Sequence, residues 1–89
     1  MKTIWKFPVN STVVMPEGAK ILSVQVQSNK PVMWALVDPT TKKKEHRQFR
    51  AFTTGSSELP DDPGQFLGTV QLTDVMFGVM VLHVFEVKE

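Results

Sequence analysis

No cysteine occurs in this sequence, which excludes a disulfide framework and thiolate metal ligation and fits a reducing compartment. Charge of either sign is not in excess. Ten Lys and Arg against nine Asp and Glu leave a net charge of +1, so the chain is not globally basic in the histone or ribosomal manner, and any anion binding must be local. Apolar runs long enough to cross a membrane as a helix are missing. The opening segment MKTIWKFPVN, interrupted by Lys6 and Pro8, lacks the apolar core of a secretion signal. These absences lead to the expectation of a soluble, cytoplasmic protein without contact to a membrane. Catalytic groups are equally scarce. There are two histidines, Ser56 and Ser57 follow Gly55 without a G-x-S-x-G elbow or triad spacing, and the adjacent Asp61 and Asp62 lack the further oxygen ligands that a hard cation needs. The expectation is a protein that is not an enzyme and uses no cofactor and no metal.

What the sequence does contain is extended structure. The run from Asp74 to Glu86 (DVMFGVMVLHVFE) is apolar at both parities, with Val75, Phe77, Val79, Val81 and Phe85 on one side of an extended chain and Met76, Met80, Leu82 and Val84 on the other. Such a strand needs cover on both faces. Val32 to Val37 (VMWALV) has the same character. Lys20 to Gln27 alternates instead, with Leu22, Val24 and Val26 opposite Ser23, Gln25 and Gln27. Ile4 to Val9 reads as an edge strand because Pro8 cannot donate to a ladder. Thr12 to Met15 is a short extended piece, and Gln65 to Leu72 is a strand in which Gly68 marks a bulge or a close approach. Turns are signalled at Pro16-Glu17-Gly18, Ser28-Asn29-Lys30-Pro31 and Asp38-Pro39-Thr40-Thr41, and Thr54 to Gly64 is a long acidic loop of the kind that carries function. Glu45 to Thr53 fits a strand or a short helix. The predicted architecture is one all-β domain over residues 1–89, a small barrel or sandwich of roughly six antiparallel strands, with or without one short helix. At this length little surface is buried on folding, so a homo-oligomer is expected, with Trp34, Met76, Met80 and Leu82 as interface residues.

One stretch carries concentrated charge. Lys42, Lys43, Lys44, Arg47 and Arg50 supply 5 of the 10 Lys and Arg, with His46 and Phe49 between them. Cations interleaved with rings grip phosphate while a ring stacks on a base; the plainer alternative is a hairpin tip kept soluble by its lysines. In an extended conformation Lys44, His46, Gln48 and Arg50 share one face, and Arg47 and Phe49 the other. With the Gly55-Ser56-Ser57 loop as a source of backbone donors, the candidate ligand-binding set is Lys44, His46, Arg47, Phe49, Arg50, Gly55, Ser56 and Ser57. His83, inside the apolar terminal run, reads as a hydrogen-bonded core or interface histidine.

The ordered segments IWKFP (4–8), MPEGAKILSVQVQ (15–27), WALVDP (34–39), DPGQFLGTVQL (62–72) and HVFE (83–86) resemble a family of short uncharacterised proteins of bacteriophages and prophages. Where that family has a GTGH-like stretch, this chain has Thr53-Thr54-Gly55-Ser56, so no histidine role is carried over. The resemblance implies a non-catalytic phage accessory protein in the cytoplasm of an infected bacterial host. In that setting the expected partners are another copy of the chain and either a small anionic nucleotide ligand used as a defence signal or a host defence protein. Nucleic acid is a lesser expectation, as is a structural role in the virion.

Overall fold

A computed structural model describes residues 1–76 and 78–88; Phe77, placed above in the terminal run, lies outside the described residues. Seven strands form, all paired antiparallel: β1 (Thr3–Pro8), β2 (Thr12–Pro16), β3 (Lys20–Gln27), β4 (Lys30–Val37), β5 (Lys44–Thr53), β6 (Gln65–Asp74) and β7 (Gly78–Glu86). They make two facing sheets, β1-β4-β3 and β2-β5-β7-β6. The result is an open sandwich rather than a closed barrel. No helix is present among the described residues, and none is long and apolar enough to cross a membrane; the basic stretch is strand from Lys44 onward, with Lys42 and Lys43 in the connection before it.

Inward parity is decided by volume and apolarity. Met33, Ala35 and Val37 of β4 meet Val13 and Met15 of β2, Val24 of β3, Phe49 of β5, Val70 of β6 and Val84 of β7 in one cluster. Met33, Phe49 and Val84 are almost completely buried, and each such side chain contributes about 1.5–3 kcal/mol. Pro8 does lie on an edge strand, since β1 closes one side of its sheet.

Two bulges redirect side chains. Ile21 pairs with Ala35 but Ser23 with Trp34, so Leu22 is an extra residue and stands 45% exposed. Sequence alternation placed Leu22 inside with Val24; the bulge breaks that period, and Ile21 packs against the core instead. The second bulge, between Phe66 and Gly68, brings Gly68 under Val24 of the facing sheet, where an added Cβ would sit 3.4 Å from the valine Cβ.

The turns follow local chemistry. Ser28 and Asn29 both have positive φ, as a two-residue hairpin requires. The Asn29 amide then pairs with the backbone of Thr73, donating to its carbonyl at 2.7 Å and accepting from its amide at 2.8 Å. That contact caps the open edge of β6 and ties the sheets together. Asp38 accepts from the hydroxyl and the amide of Thr40 where the chain changes sheets, and those donors hold its carboxyl below the usual carboxylate range.

β7 inserts between β5 and β6, although β6 follows β5 in sequence. The two flanking strands are therefore parallel, and the chain must travel back across β7 to begin β6. Residues 54–64 make that journey. Gly55 starts it with φ +81°, in a turn closed by the Ser56 amide on the Thr53 carbonyl at 3.1 Å. Gly64 ends it with φ +104°, pressed so closely on β7 that a Cβ would lie 2.1 Å from the Glu86 carbonyl oxygen.

A substitution series separates these two glycines. Gly55→Ala meets open space and carries the positive-φ cost alone, about 1 kcal/mol. Gly64→Ala adds a backbone collision and is expected to cost about 2–4 kcal/mol. Urea unfolding is expected to show the larger fall in midpoint for Gly64→Ala at unchanged m-value. Equal midpoints would remove the collision as a cause.

Candidate functional site

Cross-strand register decides which side chains meet on the outer face of the four-stranded sheet. Phe66, Phe85 and Arg50 stand in one row, and Thr69, His83 and Phe52 in the next. Phe85 is the hub. Its ring lies 5.4 Å from Phe66 and 6.0 Å from Phe52, both edge to face, the arrangement that aromatic quadrupoles favour.

The returning segment roofs one side of this cluster. Thr54, Gly55, Ser56 and Leu59 join Phe52, Phe66, His83 and Phe85 around an open cleft of about 300 Å³, the lower end of the range for small-molecule sites. Phe66 stays 56% exposed at its mouth. His83 forms its polar floor, hydrogen-bonded at Nε2 to the Thr54 hydroxyl (2.7 Å) and at Nδ1 to the Thr69 hydroxyl (3.0 Å). Since a threonine hydroxyl both donates and accepts, either imidazole tautomer is satisfied, and the ring is held in one plane.

The residues expected to bind ligand divide between the two faces of β5. Arg50 lies on the outer face beside Phe85, with His46 and Lys44 farther along the same parity, all three exposed. Gly55 and Ser56 line the cleft, whereas Ser57 is exposed beside it and does not. Two expected binding residues have other places. Phe49 is 2% exposed in the core, so its ring offers no face to a base. Arg47 points inward to the gap between the sheets, where its Nε and NH2 donate to the two Glu86 carboxylate oxygens at 2.6 and 2.7 Å and its NH1 donates to the Ala19 carbonyl.

That fork links β5, β7 and the turn leading into β3. The Glu86 carboxylate raises the Arg47 pKa against an opposing burial effect, so the guanidinium stays charged wherever the protein is folded. A second cleft of about 220 Å³ opens beside the pair, lined by Lys20, Ile21 and Gln65 among others. Among the described residues no three His, Asp or Glu side chains group as metal ligands; Asp62 instead accepts from the Gly64 amide at 3.0 Å.

The expected interface residues also separate. Trp34 is half-buried on the outer face of the three-stranded sheet, beside Lys6, whose ammonium donates to the Gln27 amide oxygen on the far strand. Met76 sits in the β6–β7 turn, not in a strand, and is 85% exposed. Met80 is half-buried opposite Leu72, and Leu82 packs against the core.

The chain belongs to the family described as a domain of unknown function, DUF7352, whose model matches residues 1–89. No curated protein matches the chain, and no solved structure does. The DUF7352 family has no ascribed function, so the cleft's own chemistry carries the functional argument.

The cleft residues missed in the sequence are Phe52, Thr53, Thr54, Leu59, Phe66, His83 and Phe85. They lie on three strands and a loop, and only the β5-β7-β6 order with its register brings them together. A signal was available within β5 alone. Phe49 and Phe52 are three residues apart, so on a strand they face opposite ways, and one of them had to be outside.

Arg47 gives a direct test of its structural role. Arg47→Lys keeps the charge but loses the two-pronged contact and one of the three linked elements, and is expected to cost about 1–3 kcal/mol in urea unfolding. Any nucleotide binding by the folded variant should be unchanged. A stability equal to that of the parent would sink the assignment.

Proposed function

We propose that this protein is a non-catalytic binding module whose cleft takes up a nucleotide-like ligand. The observation that carries this reading is the meeting, on one exposed sheet face, of a phenylalanine platform with an unpaired cation. Arg50 has no ion-pair partner among the described residues, and it lies in register with Phe85 and Phe66. A base stacks on Phe66 at the cleft mouth, while phosphate meets Arg50 and the polar turn at Gly55 and Ser56. His83, held by the Thr54 and Thr69 hydroxyls, shapes the floor of the cleft. Binding without turnover is sequestration. In the phage setting that the sequence resemblance implies, the proposed role is removal of a nucleotide signal from host antiviral defence.

A second reading, occlusion of a host protein, is supported by the β6–β7 turn. Val75 and Met76 are almost wholly exposed, and Val79 is 63% exposed. Contiguous apolar exposure of that kind marks contact surfaces. Capture from host lysate separates the two: a partner retained by the parent and lost with Met76→Ser favours occlusion.

Calorimetric titration with cyclic di- and trinucleotides and adenine-ribose compounds tests the leading reading. Binding at micromolar concentration is expected, weakened about tenfold or more by Phe66→Ala, through lost stacking, and by Arg50→Ala. Both side chains are exposed, so the fold should persist. The absence of heat across the whole panel would overturn the proposal.

A further inference from the structure

The cationic residues on the outer face do not stop at the cleft. Lys44, His46, Gln48 and Arg50 occupy alternate positions of β5, and all four are exposed. Register keeps them on one face: Lys44 stands beside Pro16, His46 beside Val14, Gln48 beside Thr12 and Arg50 beside Phe85. Each side chain can donate a hydrogen bond to an anion, and none has a hydrogen-bond or ion-pair partner among the described residues. Arg47, at the other parity, is consumed by Glu86. The strand thus sorts its basic residues, one inward for structure and the rest outward in a line that ends at Phe52 and the cleft.

We propose that this line is a phosphate track, so that the ligand is a short single-stranded oligonucleotide rather than a lone nucleotide. The inference rests on the nucleotide reading of the cleft and specifies its ligand. Donors repeat at every second residue of an extended strand, about 6.6 Å apart, and the track from Lys44 to Phe52 spans roughly 26 Å. One terminal base stacks in the phenylalanine cleft, and the backbone runs along β5 with its phosphates toward Arg50, Gln48, His46 and Lys44. The outward side chains of β2 beside this track, Thr12 and Val14, are small, leaving room for the remaining bases. A site of about four nucleotides follows, at the short end for β-sheet platforms. Charge argues for the same occupant. A polyanion gains from several aligned donors, whereas a single nucleotide reaches only those beside the cleft.

Fluorescence anisotropy with labelled oligonucleotides of one, two, four and eight residues tests the track. Affinity should rise with length to about four residues and then level off. With Lys44 and Arg50 as full cations, log K against log salt should fall with a slope of about −1.4 for the tetramer, and Lys44→Gln should flatten that slope by about 0.7. The same variant should leave mononucleotide binding unchanged, while Phe66→Ala should weaken every length. Equal affinity for one and four residues, with a salt slope insensitive to Lys44→Gln, would overturn the track and leave the cleft as a single-nucleotide site. If no length binds and the calorimetric panel is also silent, both readings fall.

Discussion

The insertion of β7 between β5 and β6 is the constraint on which the rest of the structure depends. Because the two flanking strands both run antiparallel to β7, the chain cannot turn directly from one into the other. It must cross the outer face of β7. That crossing explains why a domain of this size keeps an 11-residue connection, residues 54–64, when most connections are about half as long. It also explains the glycines that bound it, one supplying the turn away from β5 and the other the tight return onto the Glu86 backbone. The crossing segment converts a flat sheet face into a cleft. Without Leu59 and the Thr54–Ser56 turn, the three phenylalanines would be an open patch.

The same arrangement settles how apolar residues on both parities of a strand find cover. In β7, Leu82 and Val84 face the core while Phe85 is flanked by Phe52 and Phe66 on the other side. In β4, the outward Trp34 has Lys6 beside it. Cover on the second face therefore comes in part from within the chain, through neighbouring side chains and one returning loop. It fades toward the β6–β7 turn, where Val75, Met76 and Val79 are exposed.

Much of this was legible in the residues. Proline at position 8 placed its strand at an edge, glycine at position 68 announced a bulge or a close approach, and a hairpin was readable within Ser28-Asn29-Lys30-Pro31, though not its two-residue length, because each depends on backbone chemistry local to a few residues. Parity along β5 was equally readable and put Lys44, His46, Gln48 and Arg50 on one face. What failed required knowledge of neighbours. Leu22 left the interior because of a bulge set by pairing with β4. Phe49 and Arg47 turned inward because that face of β5 meets the core and Glu86, and alternation alone does not say which face is which. The cleft was hidden for the same reason, since its residues become neighbours only through the strand order 5-7-6.

Sorting by face also accounts for the kind of activity the molecule can support. Here the imidazole nearest the cleft has both nitrogens engaged, and the most strongly held guanidinium is locked to a carboxylate on the other side of the sheet. The side chains that stay exposed on the cleft's face include Phe66 and Arg50. Such groups gain by stacking on a ring and by attraction to negative charge. On the proposed reading, a ligand that stacks on Phe66 and extends its negative charge along β5 meets Arg50, Gln48, His46 and Lys44 in turn.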